Sequence, residues 1–298
     1  MIRCERATVQ RTGRVVVEAV SLEVASGRAV ALIGRGGSGK TALLAAAATA
    51  LPLHAGDIVV EGRSVRREAD AVRRLIGYAP ARLPAWPGLR ADEFLELCGV
   101  AAGLRGAPLA AAVDKGLALA GLGSAGHADL ESLPAGPAKR LLLARAVLHD
   151  PQVLLLDDPL GSLDPVERRD IERLIGDLHL MGRTVLAAID DAAVPDCFTH
   201  VAVLDEGRLV AHGPAEPAAF AGGRRWRCSL VCRGAAERAA TVVGRVAGPC
   251  RVDELDRVAF ELDPAGPSLG KVVVAVEQAG IAVESAGFDP PWTAQLIR

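Results

Sequence analysis

Gly34-Arg35-Gly36-Gly37-Ser38-Gly39-Lys40-Thr41 is the stretch that decides the fold. The apolar run Ala29-Val30-Ala31-Leu32-Ile33 precedes it and reads as a buried strand; Ala42 to Leu53 follows and reads as a helix. A strand, a glycine-rich turn ending in Lys-Thr, and a helix together form a phosphate-binding loop. Each residue type has a physical reason. The glycines, Gly34, Gly36, Gly37 and Gly39, with Arg35 and Ser38 between them, let backbone N–H groups turn inward and cradle phosphate oxygens at the positive end of a helix. Lys40 reaches the terminal phosphates as a point charge, and Thr41 offers its hydroxyl to Mg²⁺. The motif therefore implies a bound nucleotide with Mg²⁺.

Val153-Leu154-Leu155-Leu156-Asp157-Asp158-Pro159 is a hydrophobic strand ending in two acids. In open α/β folds such strands deliver carboxylates to the edge where ligands bind. Asp157 is placed to support the Mg²⁺ shell beside Thr41, and Asp158 to orient a water. The plainer alternative is a strand ending in a polar turn.

Composition narrows the partners. The chain has 298 residues, 50% of them hydrophobic, with a formal net charge of −2. That is enough for one large and one small domain. No dense Lys/Arg run marks a nucleic-acid footprint, so no nucleic acid is expected. The longest apolar stretch, Leu43 to Leu53, is too short to span a bilayer. No secretory signal pattern opens the chain, which points to the cytoplasm. The six cysteines lack zinc-like pairing and read as reduced core residues, Cys228 and Cys232 on one strand face.

Residues 1–220 alternate strand-like and helix-like segments, implying a mainly parallel sheet flanked by helices, with a helical subdomain inserted at about 86–145. Gly213-Pro214-Ala215-Glu216-Pro217 and Gly222-Gly223 read as a linker. Beyond it, in 221–298, come a strand near 226–232, a helix at 235–246, two strands around 250–262, a helix at 269–280 and a strand at 281–286. This β-α-β-β-α-β order predicts a small α+β, ferredoxin-like accessory domain. The fold class is thus α/β: a P-loop NTPase (RecA-like) sheet with an inserted helical subdomain and that C-terminal domain.

Arg140-Leu141-Leu142-Leu143-Ala144-Arg145-Ala146 leads through Asp150-Pro151 to the acidic strand and then to Gly161-Ser162-Leu163-Asp164-Pro165. With Val201-Ala202-Val203-Leu204-Asp205-Glu206-Gly207, these motifs make the chain resemble the ATP-binding subunit of an ABC transporter over essentially all of 1–220. The tail, Ala279-Gly280-Ile281-Ala282-Val283 and Pro290-Pro291-Trp292, resembles more weakly the C-terminal extension of bacterial ABC export ATPases. The resemblance implies a homo- or heterodimer of cassettes closing head to tail around two ATP molecules. It also implies a separate membrane-embedded permease, to which the chain would attach peripherally on the inner face of the cell membrane. The region 81–94, with exposed-looking Trp86 and Phe94, would lie where that partner docks; the same aromatics could be core of the helical subdomain.

Against the family pattern, five positions depart. The signature Leu-Ser-Gly-Gly-Gln aligns with Leu133-Pro134-Ala135-Gly136-Pro137, where two prolines remove N–H donors and only Gly136 remains to face a phosphate. Asp158 replaces a glutamate and shortens its reach. Asp190 stands where the family has a switch histidine, and a carboxylate there repels a γ-phosphate. Ala81 replaces the glutamine that links Mg²⁺ to the membrane partner and has no side-chain donor or acceptor. No aromatic residue occurs before Tyr78, so a ring to stack on adenine is missing, with Thr12 or Val15 nearest its place. Binding of ATP through Gly34–Thr41 and Asp157 should survive, while Asp158 and Asp190 are catalytic positions expected to give slow or partner-dependent hydrolysis. The functional classes that follow are an exporter's energising subunit, a non-hydrolysing regulatory or scaffold cassette paired with an active ATPase, and a soluble non-transport cassette. A GTPase is disfavoured because no guanine-reading Asn-Lys-x-Asp stretch is present.

Overall fold

The computed structural model describes residues 1–123, 125–190, 194–215, 226–252, 256–262, 269–283 and 285–289. The chain divides into two compact units, Met1–His212 and Gly213–Arg298.

In the first unit a six-stranded sheet carries the chemistry. Its order is β10 (Arg208–Pro214, crossing the unit boundary), β9 (His200–Asp205), β3 (Ala29–Ile33), β8 (Thr184–Ile189), β7 (Val153–Asp157) and β6 (Ile76–Ala79). Strands β9, β3, β8, β7 and β6 run parallel to one another. Every residue of β3, β7 and β8 is buried, which is why they read as unbroken apolar runs: helices cover both faces. Registry sets the site. Ile33 pairs with Ile189 and Asp157 with Ala188, so β3, β7 and β8 end at one edge. The glycine loop leaves β3 there and enters α1 (Lys40–Ala47); the two acids leave β7, and Asp190 leaves β8.

One expectation needs correction: the N-terminal segments do not join the parallel sheet. β1 (Ile2–Arg11), β2 (Arg14–Val24), β4 (Ala55–Val60) and β5 (Arg63–Ser64) form a separate sheet in the order β2-β1-β4-β5, with antiparallel pairing throughout. The burial of β1 fits a sheet covered on one face. In β1, Ile2, Cys4, Ala7 and Val9 are buried while Arg3 and Glu5 face solvent, the signature of a sheet covered on one side. The tight turn Thr12-Gly13, with φ of 49° and 77°, closes the β1–β2 hairpin. The buried faces of this sheet and of β3 and β7 meet on α1, through Ile2, Val9, Ile58, Leu32, Leu43 and Leu155. Helix α1 is also shorter than Ala42–Leu53: it ends at Ala47, and Thr49, with φ of 59°, turns the chain away.

Helix α2 (Ala69–Leu75) precedes β6. Three further helices, α3 (Ala91–Ala101), α4 (Gly106–Ala120) and α5 (Ala135–Val147), pack on one another through Phe94, Leu95, Leu117, Leu141 and Ala144. Phe94 is therefore a core residue of the helical part, not an exposed one. Trp86 is half-exposed and sets its ring edge against Phe94, with centroids 6.4 Å apart at 65°. Helix α6 (Pro165–Leu180) follows β7. Asp164 caps it by accepting from the N–H groups of Val166 and Glu167, and Pro165 occupies the first turn, where no N–H is needed.

The second unit has the ferredoxin-like order: β11 (Trp226–Val231), α7 (Ala236–Val246), β12 (Cys250–Val252), β13 (Arg257–Leu262), α8 (Leu269–Gln278) and β14 (Ser285–Asp289). Its antiparallel sheet runs β12-β13-β11-β14. Cys228, Leu230, Cys232, Val258 and Phe260 bury against Ala239 and Val243 of α7 and Val272 and Val276 of α8. The last strand starts at Ser285 rather than at Ile281. Gly280, with φ of 75°, ends the helix and turns Ile281 into the core before the strand begins. Gly222-Gly223 and Pro290-Pro291-Trp292, singled out in the sequence, lie outside the described residues. Among the described residues no helix is long and apolar enough to cross a membrane.

Candidate functional site

The loop Gly34–Lys40 uses its glycines in two ways. A Cβ on Gly34 would overlap the Leu204 carbonyl oxygen and one on Gly39 the Val16 carbonyl oxygen, so these two let the backbone pass close to β9 and β2. Gly36 and Gly37 face open space instead. That open side is a cleft of about 320 Å³, bordered by Gly36–Ala42, Asp157, Asp158, Ala188, Asp190, Arg11 and Val16. Backbone N–H groups at the start of α1 and the open side of the loop at Gly36 and Gly37 fit a chain of phosphates.

Lys40 is nearly buried, at 6% exposure. Its ammonium donates to the carbonyl oxygens of Gly34 at 2.6 Å and Arg35 at 3.0 Å, and pairs with Asp190 Oδ1 at 2.9 Å. Thr41 Oγ1 donates to Asp157 Oδ1 at 2.9 Å. A hydroxyl and a buried carboxylate so placed suit a hard cation that keeps several waters and phosphate oxygens, as Mg²⁺ does. Burial pushes the Asp157 carboxyl above the usual carboxylate range. The Thr41 hydrogen bond works against that shift, the charges of Asp158 and Asp190 add to it, and Lys139 opposes it.

Asp158 sits in the left-handed region, φ 47°, with its N–H on the Ala188 carbonyl at 2.9 Å. Its carboxylate folds over Gly161, filling the space a Cβ would take there. Lys139, from α5, holds it in place. Its ammonium donates to the Asp158 backbone carbonyl and to the Ala81 carbonyl at 2.9 Å, and lies 3.4 Å from Asp158 Oδ2. Ala81 thus reaches the site through its backbone alone. Sequence reading passes over Lys139; its one signal was a lysine among the apolar residues that open α5.

The sequence-predicted residues divide. Gly36 to Thr41, Asp157, Asp158 and Asp190 converge on one cleft, and Gly34 and Arg35 support it through the Lys40 hydrogen bonds. Gly136 is not among the residues bordering that cleft. It lies buried in the first turn of α5, between Pro134 at the cap and Pro137, and the Glu167 side chain fills the space where its Cβ would stand. At the hairpin end, Arg11 and Val16 border the cleft in place of the expected Thr12 or Val15, and Val15 is half-exposed.

The family described as "ABC transporter" matches residues 17–161. The chain is 31% identical over 278 residues to the daunorubicin resistance ATP-binding protein DrrA3 of Streptomyces coeruleorubidus, covering 92% of this chain and 87% of that one. It is 34% identical over 204 residues to the sulfate/thiosulfate import ATP-binding protein CysA of Nocardia farcinica, covering 66% of this chain. The chain spans only 60% of that relative's length. Among solved structures, the dimeric post-hydrolysis state of the ATP-binding cassette MJ0796 bound to ADP and Pi superposes with a TM-score of 0.65 at 23% identity, over 72% of this chain and 98% of that one. That likeness shows the fold: a P-loop NTPase cassette with an α/β sheet. The loop at Gly34–Thr41, the acids closing β7 and a relative 31% identical over 92% of the chain lead to one conclusion: the chain belongs to the ABC transporter ATP-binding proteins.

Proposed function

We propose that the chain is the ATP-binding subunit of an ABC exporter, coupled to a separate membrane permease and hydrolysing ATP slowly or only with a partner. Gly34–Thr41 would hold the phosphates, with Thr41 and Asp157 sharing Mg²⁺. The observation that carries the reading is the cleft itself: an open glycine cradle, Lys40 at its floor and the Thr41–Asp157 pair at its edge. Export and a C-terminal accessory domain gain support from the drug-resistance relative, whose match runs over 278 residues and so continues beyond the first unit. Slow turnover follows from Asp190 on Lys40, the shorter acid at 158, and a signature helix whose first turn carries Pro137 and the Glu167 side chain.

In a closed dimer of cassettes, each ATP would meet one chain's loop and the other chain's Leu133–Pro137. The partner would be a second copy or an intact cassette, held at the cytoplasmic face through the permease. The Glu167 carboxylate beside Gly136 favours one second reading, a regulatory cassette that binds ATP without hydrolysing it and pairs with an active ATPase. Equilibrium binding of ATP with Mg²⁺, against Lys40→Ala, tests the site: equal binding by both proteins would overturn it. Purification from membranes with the associated permease identified tests the assignment to transport. A steady-state turnover of tens per second by the chain alone would overturn slow hydrolysis.

A further inference from the structure

We propose that Asp190 is a built-in occupant of the terminal-phosphate position, so that the Gly34–Thr41 loop takes a nucleoside diphosphate in preference to a triphosphate. The inference rests on the reading of this loop as a nucleotide site and adds which nucleotide it favours. An ammonium has three donors, and all three of Lys40 are committed: to Gly34 O at 2.6 Å, Arg35 O at 3.0 Å and Asp190 Oδ1 at 2.9 Å. Two of these acceptors are backbone of the loop itself. Asp190 is the one side chain and the one anion of the three, and at 67% exposure it is the partner free to leave.

Two phosphates can rest on the N–H groups above Gly36 and Gly37 and at the start of α1 while Lys40 keeps Asp190. A third phosphate that seeks Lys40 has to break that ion pair. It then lies in a mouth that Asp157 and Asp158 also border, with a displaced Asp190 beside it. Lys139, 3.4 Å from Asp158 Oδ2, offsets part of that acid's charge, and Arg11 borders the same mouth, so the repulsion rests chiefly on Asp157 and the displaced Asp190. Like charge at this range disfavours the triphosphate and leaves the diphosphate untouched. Mg²⁺ on Thr41 and Asp157 would soften the repulsion for both nucleotides, since both present a β-phosphate. The discrimination therefore lies with the carboxylate on Lys40.

The test is calorimetric titration of the full chain with ADP and with ATP, each with Mg²⁺, for the wild type, Asp190→Asn, Asp190→Glu and Lys40→Ala. The wild type is expected to bind ADP about tenfold more tightly than ATP. Asp190→Asn, near-isosteric and uncharged, should tighten ATP about tenfold and shift ADP by less than about twofold. Asp190→Glu keeps the charge and should keep the preference for ADP, which a merely structural role for the side chain would not demand. ATP binding at least as tight as ADP in the wild type would overturn the proposal. So would an Asp190→Asn variant that changes both nucleotides alike, and in either case the nucleotide-site reading would stand. Absence of binding by either nucleotide to every protein would overturn both.

Discussion

Lys139 and Asp158 are joined twice, the ammonium donating to the Asp158 backbone carbonyl and lying 3.4 Å from its carboxylate, while a third contact reaches the Ala81 carbonyl at 2.9 Å. One side chain of α5 thus ties the end of β7 to the segment that follows β6. The cation is 8% exposed, and its removal leaves two carbonyls and a carboxylate without their donor. Lys139→Met, similar in volume and uncharged, should cost about 2 kcal/mol, or about 4–8 °C in the thermal midpoint of a domain of this size. Lys139→Arg should recover part of it. A midpoint unchanged in Lys139→Met would show that the contacts are incidental.

The glycines of the loop separate stability from binding. Gly34→Ala drives a methyl onto the Leu204 carbonyl oxygen, backbone that cannot yield, from a φ of 158°. It should destabilise the first unit by about 3 kcal/mol or more. Gly36→Ala meets nothing within 4 Å and lies outside the left-handed region. Its fold should be unchanged within about 0.5 kcal/mol, while the methyl intrudes where the phosphates are proposed to lie and should weaken nucleotide binding. Denaturant unfolding and nucleotide titration of the two variants check both halves. A stable Gly34→Ala, or a Gly36→Ala that binds normally, contradicts the assignment.

What could be read in advance follows the range of the interactions. The loop and the acids after β7 were legible because their chemistry is written in short, ordered spacing, and the second unit because its alternating strands and helical segments announce themselves in order. The separate antiparallel sheet was not, since β1 and β4 show the alternation of any half-buried strand and only pairing partners say which sheet they join. The site's cross-links were invisible for the same reason. Lys139 meets Asp158 across 19 residues, and Gly136 meets Glu167 only because α5 and α6 fold together. From the sequence, Asp190 reads as a charge that would repel a terminal phosphate. That Lys40 already holds it could be learned only from the ends of β3 and β8 lying side by side.

Asp157 gives a pH-dependent prediction. Burial raises its carboxyl above the usual range, so the folded state holds the proton more tightly than the unfolded chain. That contribution to stability is fully present below the ordinary Asp value of about 4 and is lost as pH rises through the raised folded value. At neutral pH the ionised carboxylate therefore counts against the nucleotide-free fold. Asp157→Asn, which can still accept from Thr41, should stabilise the protein by about 1 kcal/mol at pH 7. The gain over the wild type should shrink as the pH falls into the carboxylate range. The same variant should lose the dependence of nucleotide binding on Mg²⁺. Thermal unfolding across pH, with and without Mg²⁺ and nucleotide, measures both effects; a variant less stable at pH 7 than at pH 4 relative to wild type would reverse the sign.

The slow hydrolysis proposed for this chain would have two separable causes, and restoring each acid position tells them apart. On the resemblance read from the sequence, Asp158 would stand one methylene short of a glutamate, and its carboxylate is turned onto Gly161 and Lys139. A displacement of about 1 Å in a positioning group can cost about 10²-fold in rate. Asp190 adds a charge defect by holding Lys40. Asp158→Glu lengthens the reach, and Asp190→His replaces the anion with a group able to donate to a phosphate. The double variant should raise steady-state phosphate release about tenfold or more above the wild type, measured over a Lys40→Ala background. If charge is the main block, Asp190→His alone should deliver most of the gain, because freeing Lys40 is needed before any base can act on a bound terminal phosphate. If reach dominates, Asp158→Glu should act alone. A double variant no faster than the wild type would place the defect in the Leu133–Pro137 helix end instead, where Pro134, Pro137 and Glu167 leave a closing partner's phosphate few donors.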